Sequence, residues 1–371
     1  MTARGAAALR APGWLEERDP GPWRELALAP LWPLAGAWAA GAWLHRHARG
    51  ARLRAPTRLP CRVVSVGSVL VGGAGKTPVT AWVAATLRAR GHAVAIASRG
   101  HGRRGGRADV QVVSDGRRLC ARAHEAGDEP LVLAAHAPGV PILVGRDRGR
   151  VGRHAVALFG CDVLVLDDGF QHHRLARDVE LLVFDGGGLG SGRLLPLGPL
   201  RERLAEVRRA DAVLVVDGPL PERDAERIAR LVPGVPWFAA RRAPVSLRPL
   251  RGGPARPPAW LAGRAVGLFS GLARPAGLRR TVEALGAQVV AERRFPDHHR
   301  YRPRDLRALR ALRAPWITTE KDAVKILPSW CEGLDVHVLA IELAPSDPAA
   351  LAEWLSARVA TPVAPAAQSA R

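Results

Sequence analysis

Short apolar, β-branched runs alternate along most of the chain with stretches of helical spacing. Runs of the first kind lie at residues 63–67, 92–98, 162–166, 180–184 and 212–216, with a shorter one at 141–144. Helical patterns fill residues 79–90, closed by Gly91, and a stretch from Arg148 through Leu158. Strands alternating with helices at this spacing predict an α/β, doubly wound, mostly parallel sheet. A hairpin-like piece over 109–119 interrupts the series once. A second βα series follows: a strand at 265–270, a helix at 275–285, and strands at 288–290, 316–319 and 336–341. Between the two series, residues 232–260 carry many prolines and arginines without clear periodicity, and read as an inter-domain connection. No internal repeat of solenoid period occurs. The tail from Ala360 is rich in Ala, Pro and Ser and is expected to be disordered.

The N-terminal region departs from this alternation. Residues 26–44 are apolar and uncharged, with Trp32, Trp38 and Trp43, and lead into His45, Arg46, His47, Arg49, Arg52, Arg54 and Arg58. That run is too rich in Ala, Gly and Pro for a spanning helix. Tryptophans beside an arginine cluster suit a helix lying in a membrane interface, against the plainer reading of a helix packed on the protein's own core. Acidic residues ahead of the run argue against a secretory signal.

One stretch carries the clearest chemistry. Residues 63–77 read V-V-S-V-G-S-V-L-V-G-G-A-G-K-T: a strand, a glycine-rich turn and a helix start. Glycines let successive backbone N–H groups converge on phosphate oxygens, and the helix N-terminus adds its positive end. Leu70, Val71, Gly72, Gly73, Ala74, Gly75, Lys76 and Thr77 are the expected grip on ATP. Lys76 would reach the β/γ-phosphates, and the Thr77 hydroxyl would hold Mg²⁺. The strict pattern wants glycine where Leu70 stands, so the bland reading is a glycine-rich turn with an exposed lysine. Composition changes that balance. Of 55 basic residues only Lys76, Lys321 and Lys325 are lysines. In a chain that otherwise uses arginine for positive charge, a lysine marks a place that needs a compact ammonium rather than a planar fork.

A second element fits the first. The strand at 162–166 delivers Asp167 and Asp168 into D-D-G-F-Q-H-H, as a Mg²⁺- or water-positioning element requires. The Gly/Arg loop after Ser98 belongs on the ligand-binding edge of an open α/β sheet. From charge and placement alone, its Arg99, Arg103 and Arg104 are candidates for a substrate phosphate or lipid headgroup. The net charge of +21 implies anionic partners. No nucleic-acid motif or aromatic-interleaved strand accompanies it, so nucleic acid is not expected. Cys61, Cys120, Cys161 and Cys331 have no metal spacing and read as reduced, mostly buried thiols.

With these words in place, the chain resembles the tetraacyldisaccharide 4′-kinase (lipid A 4′-kinase) family over roughly residues 28–342. The resemblance rests on V-G-S-V-L-V-G-G-A-G-K-T-P, S-R-G-H-G-R, G-D-E-P, V-G-R-D-R, D-D-G-F-Q-H-H, L-L-P-L-G-P-L-R-E, F-S-G-L-A-R-P, F-P-D-H-H-x-Y and T-T-E-K-D-A-V-K. Ser68 stands where asparagine is usual and His101 where tyrosine is usual. The family shares the missing glycine at Leu70.

The resemblance implies ATP and Mg²⁺ as cofactors, and a membrane lipid, tetraacyldisaccharide 1-phosphate, as acceptor through its 4′-hydroxyl. It also implies an anionic surface on the cytoplasmic face of the bacterial inner membrane. It assigns Asp128 of G-D-E-P as the base, oriented by His298, with Glu202 joining Asp167 and Asp168 at the metal; His299 reads as a solvated loop histidine. A monomer is expected. The division expected is a membrane-interface helix with its basic flank over 1–60, a P-loop kinase domain over 61–231 and the connection over 232–260. A smaller α/β domain over 261–345 and a C-terminal helix and tail over 346–371 complete it. The rival is a P-loop ATPase of the partitioning or metal-insertion kind, which would carry a lysine where Val71 stands and would lack a base like Asp128.

Overall fold

The computed structural model describes residues 28–50, 56–72, 75–100 and 109–360, the side chains of 42–50 excepted. Gly73, Ala74, Arg103, Arg104 and the tail beyond Ala360 lie outside the described residues.

Twelve strands form one continuous sheet: β1 (Arg62–Gly67), β2 (Val94–Ser98), β3 (Val110–Asp115), β4 (Pro141–Gly145), β5 (Val163–Asp167), β6 (Val179–Asp185), β7 (Ala212–Val216), β8 (Trp237–Pro249), β9 (Ala265–Ser270), β10 (Gln288–Arg294), β11 (Trp316–Thr319) and β12 (Val336–Pro345). Their order across the sheet is β10-β9-β11-β12-β8-β7-β6-β1-β5-β2-β4-β3. All pairs are parallel except β3 with β4 and β8 with β12.

The central strands are apolar on both faces because both faces are covered, as parallel sheets require. Successive side chains of a strand point to opposite faces. Val163 and Val165 of β5 therefore join a core with Val79, Val83 and Leu87 of the helix Lys76–Ala89. Leu164 and Leu166 join a second core with Val151 and Ala155 of the helix Arg148–Phe159. The C-terminal helix Pro348–Val359 adds Leu351, Leu355 and Val359 to the first core. Cys61, Cys161 and Cys331 are buried free thiols and Cys120 is exposed.

Residues 232–260 hold a structural finding that periodicity did not foreshadow. Their prolines and arginines contain β8, whose residues Trp237–Ala240 pair in parallel with β7. From Ala240 to Pro249 the same strand pairs antiparallel with β12. Only Ala240 and Leu247 of β8 are buried, so backbone pairing rather than an apolar face defines this strand. One long strand thus joins the first seven strands to the last four.

The N-terminal helix Trp32–Gly50 rests on the protein by a narrow edge. Leu28 and Ala35 pack on Leu197, and Trp38 Nε1 donates to the Arg201 carbonyl at 3.1 Å. Trp32, Leu34 and Trp38 remain 55%, 56% and 46% exposed. Among the described residues no helix is long and apolar enough to cross a membrane.

Candidate active site

The carboxyl ends of β1, β2 and β5 converge on one edge, where the chain leaves each strand in a loop. After β1 the chain turns through Gly72 at φ 100° and Gly75 at φ 71°, left-handed values that glycine adopts at low cost. Gly75 then caps the helix that opens on Lys76. The loop is braced from behind. Val71 N donates to the Pro199 carbonyl at 2.8 Å, Leu70 is buried beside Leu200, and Gln171 Nε2 donates to the Ser68 carbonyl at 3.0 Å. At Gly67 a Cβ would meet Phe170 Cβ at 2.5 Å, so D-D-G-F and the phosphate loop pack at a separation only glycine permits.

Lys76 Nζ stands 3.3 Å from Asp168 Oδ1 and 3.5 Å from the Gly72 carbonyl. Asp168 has the left-handed φ of 54° and also accepts from Arg201 Nη1 at 2.8 Å. Burial works to raise the Asp168 pKa, but Lys76 and Arg201 outweigh it and hold the carboxyl below the usual range. Asp167 differs. It is buried, accepts from Ser98 Oγ at 2.9 Å and Thr80 Oγ1 at 3.3 Å, and is pushed up to about 7 by burial, then by the charges of Glu129 and Asp168. Arg148 reinforces this patch from below: buried, lowered to about 10 by desolvation, it faces Asp167, Arg99 and Asp168.

A crowded set of hard carboxylate oxygens that raises one member's pKa is the environment a divalent cation relieves. Mg²⁺ takes only one or two protein carboxylates and fills its shell with phosphate oxygens and water. The pair Asp167–Asp168, in contact with Thr80 and Lys76 of the helix whose first turn carries Thr77, fits that need, although no three His, Cys, Asp or Glu side chains gather as a metal cluster among the described residues. Glu202 is placed differently. Its Oε1 accepts from His173 Nε2 at 2.8 Å and its Oε2 from Arg209 Nη2 at 2.6 Å. Arg209 also donates to His173 Nδ1 at 2.9 Å and lies over the Phe170 ring. The second histidine of D-D-G-F-Q-H-H therefore belongs to a network behind the site.

The second centre is assembled from both halves of the chain. Asp128 is 4% exposed and caps the helix Glu129–His136. His298 Nδ1 lies 3.0 Å from Asp128 Oδ2 and 3.2 Å from Oδ1. His298 holds a left-handed φ of 55°, with its N–H on Gly271 O and Asp297 Oδ1. His299 turns away, bonding Asp305 at 3.1 Å and stacking on Phe295. Burial would raise Asp128, yet the His298 hydrogen bond with Lys321 and Lys325 keeps it low. The Asp128 hydrogen bond in turn raises His298 above the ordinary histidine value, against burial and Lys321.

Several contributors went unassigned in the sequence. Arg201 lies in L-R-E and Arg148 in V-G-R-D-R, words whose presence was visible but whose contacts were not. From the later half of the chain, Arg274 pairs with Asp185 at 3.3 Å and passes within 3.7 Å of where a Cβ on Gly72 would sit. Arg99 stands at the exposed edge.

A mostly parallel α/β sheet with a lysine-bearing phosphate loop, paired aspartates and an Asp–His couple at its edge defines a P-loop phosphotransferase. Residues 27–360 match the family model for tetraacyldisaccharide-1-P 4′-kinase, and the chain belongs to that family. A tetraacyldisaccharide 4′-kinase of Anaeromyxobacter sp. (strain K) is 45% identical over 323 residues, 84% of this chain and 85% of its own length. Its counterpart in Rhodospirillum centenum is 42% identical over 346 residues, 91% of this chain and 93% of its own. The fold matches the crystal structure of the "apo" form of LpxK from Aquifex aeolicus in complex with ATP. The TM-score is 0.72 and the identity 29%, over 90% of this chain and 99% of that one.

Proposed function

We infer that this protein transfers the γ-phosphoryl group of ATP to the 4′-hydroxyl of a tetraacyldisaccharide 1-phosphate, giving the 1,4′-bisphosphorylated lipid of lipid A synthesis. The observation that carries the reading is the hydrogen-bonded couple of buried Asp128 with half-buried His298, set in the same chain as the Lys76–Asp168 pair of the phosphate loop. A generic P-loop ATPase has no use for a second carboxylate of this kind, and the family match runs against that alternative.

Phosphoryl transfer asks a protein for positioning, charge neutralisation and a proton acceptor. Lys76 and the N-terminus of its helix would meet the β/γ-phosphates. Asp128 would take the proton of the 4′-hydroxyl as the oxygen attacks, and His298 would hold that carboxylate in line. Mg²⁺, where bound, would neutralise charge shared by the β- and γ-phosphates; Thr77, Asp167 and Asp168 would hold it, with Glu202 a further contact. Asp128 comes from the first half of the chain and His298 from the second. Closure of residues 261–345, acting as a smaller domain, on the nucleotide half would then complete the site. Arg99, with Arg103 and Arg104, would face the substrate's 1-phosphate or neighbouring headgroups.

The N-terminal helix supports a reading of membrane docking. Its Trp32, Leu34 and Trp38 are exposed large apolar side chains, and tryptophan favours the headgroup level of a bilayer. The helix would lie on the cytoplasmic leaflet of the inner membrane, the protein acting as a monomer. In flotation with vesicles containing anionic lipid, Trp32→Ser/Trp38→Ser should lower the bound fraction severalfold; unchanged flotation would remove these tryptophans as the anchor.

The reaction itself is tested with γ-labelled ATP, Mg²⁺ and detergent-dispersed tetraacyldisaccharide 1-phosphate. Label in a bisphosphorylated lipid is the expected result. ATP hydrolysis without labelled lipid would return the protein to the ATPase class.

A further inference from the structure

All three lysines of the chain stand in the candidate site. Lys76 meets Asp168, and the other two meet the Asp128–His298 couple. A composition that supplies arginine almost everywhere else gives no generic reason for that placement.

The segment Thr319–Lys325 brings both lysines in. Thr319 caps the short helix Glu320–Ala323 by accepting from Asp322 N at 3.2 Å. Asp322 is fully buried and accepts from Gly271 N at 3.1 Å and Thr319 Oγ1 at 2.8 Å. Lys325 Nζ lies 3.0 Å from Asp322 Oδ1 and 3.7 Å from Asp128 Oδ2, with the Tyr301 ring 5.5 Å away. Its side chain is 10% exposed. An ammonium held between two buried carboxylates fixes both, and a guanidinium would need more room.

Lys321 approaches the histidine from the other side, its Nζ 3.3 Å from His298 Nε2, 3.4 Å from Asp297 Oδ1 and 4.0 Å from Glu129 Oε1. An ammonium has only donors and an ionised carboxylate only acceptors. Nε2 must therefore present its lone pair to Lys321, and Nδ1 must carry the hydrogen aimed at Asp128. The same segment grips the far end of the helix that Asp128 caps: Glu320 Oε2 meets His136 Nε2 at 2.7 Å, while its Oε1 accepts from Arg248 at 2.6 Å.

We infer that Lys325 and Lys321 are positioning residues of the phosphoryl-transfer centre, Lys325 seating the Asp128 carboxylate and Lys321 setting the tautomer of His298. The inference rests on the reading of Asp128 as the base. The charged and titratable groups facing Asp128 are Glu129 beside it, Asp297 and His298 from the loop after β10, and Lys321, Asp322 and Lys325 from the segment after β11. The two lysines offset the three carboxylates around the base, so losing either cation makes proton uptake by Asp128 easier. The acid limb of the rate profile then moves to higher pH, by about one pH unit or more for a contact of this range.

The test compares Lys325→Met, Lys325→Arg, Lys321→Met and Asp128→Asn with the parent full-length protein in the lipid transfer assay, from about pH 4 to 8, so that the acid limb of a carboxylate falls inside the range. We expect kcat to fall about 10- to 100-fold in each Lys→Met variant, with KM for ATP and lipid within about twofold. Lys325→Met should also show the raised acid limb, and Lys325→Arg should not restore the parent rate. Imidazole ¹⁵N shifts, with His298→Gln for assignment, should show Nε2 of His298 gaining protonation in Lys321→Met, a change that mere loosening of the fold would not produce. Parental kcat in both Lys→Met variants overturns the inference, as does a rate loss matched by a fall in Tm with the acid limb and ¹⁵N shifts unmoved. Those results leave the base reading intact so long as Asp128→Asn is inactive. Parental activity in Asp128→Asn overturns the base reading itself, and this inference with it.

Discussion

Asp128→Asn is expected to lose about 10²- to 10⁴-fold in kcat, the range that a positioned general base supplies. The substitution conserves volume, and the amide oxygen of the new side chain would still accept from His298 Nδ1 at a distance near the present 3.0 Å. What disappears is the ability to take the proton of the attacking hydroxyl. Because the carboxyl pKa is held low by His298, Lys321 and Lys325 against burial, Asp128 is ionised at neutral pH in the parent. The sign of the linkage follows. A lowered folded-state pKa gives stability that is present above the unfolded carboxylate value and lost as pH falls through the folded one, so Asp128 contributes fully at neutral pH. Single-turnover label transfer with saturating ATP separates chemistry from nucleotide binding. An Asp128→Asn variant that transfers at the parent rate would leave the kinase reading in place and remove Asp128 as its base.

Lys76→Ala should cost a comparable amount by another route. Its ammonium lies at the helix start beside Gly72 and Asp168, where triphosphate oxygens would gather charge in the transition state. Removing one such stabilising donor from a water-poor site costs about 10²- to 10³-fold, or roughly 3–4 kcal/mol. Asp168 retains Arg201, so the fold around it should survive. Lys76→Arg should fail to rescue, since a planar fork does not substitute for a point charge among phosphates. Measuring kcat/KM for ATP together with Tm decides the matter: intact activity in Lys76→Ala would detach the lysine from the phosphates, and collapse of Tm would turn its role into a structural one.

Much of this protein was legible along the chain. The central strands follow from local periodicity, because burial on both faces leaves an apolar, β-branched run that needs no partner to be recognised. The phosphate loop and Asp167–Asp168 were equally visible, since contiguous residues carry each and a helix start or a strand end imposes the geometry locally. Asp128 and His298 were reachable only through the family's words. No local rule joins residues 170 positions apart, and the structure places them at hydrogen-bonding distance while sending His299 to Asp305.

Other features belonged to tertiary structure alone. β8 has prolines, arginines and mostly exposed side chains, so its identity as a strand comes from the backbones of β7 and β12 on either side. The resemblance offers Glu202 as a further metal contact, and only the structure showed that His173 and Arg209 engage its two oxygens, because the loop after β5 folds back on the segment after Pro199. Composition singled out three lysines. Only the folded chain showed that Lys321 and Lys325 converge on Asp128 and His298, because a charge acts through space over a few ångströms and sequence separation does not measure that distance.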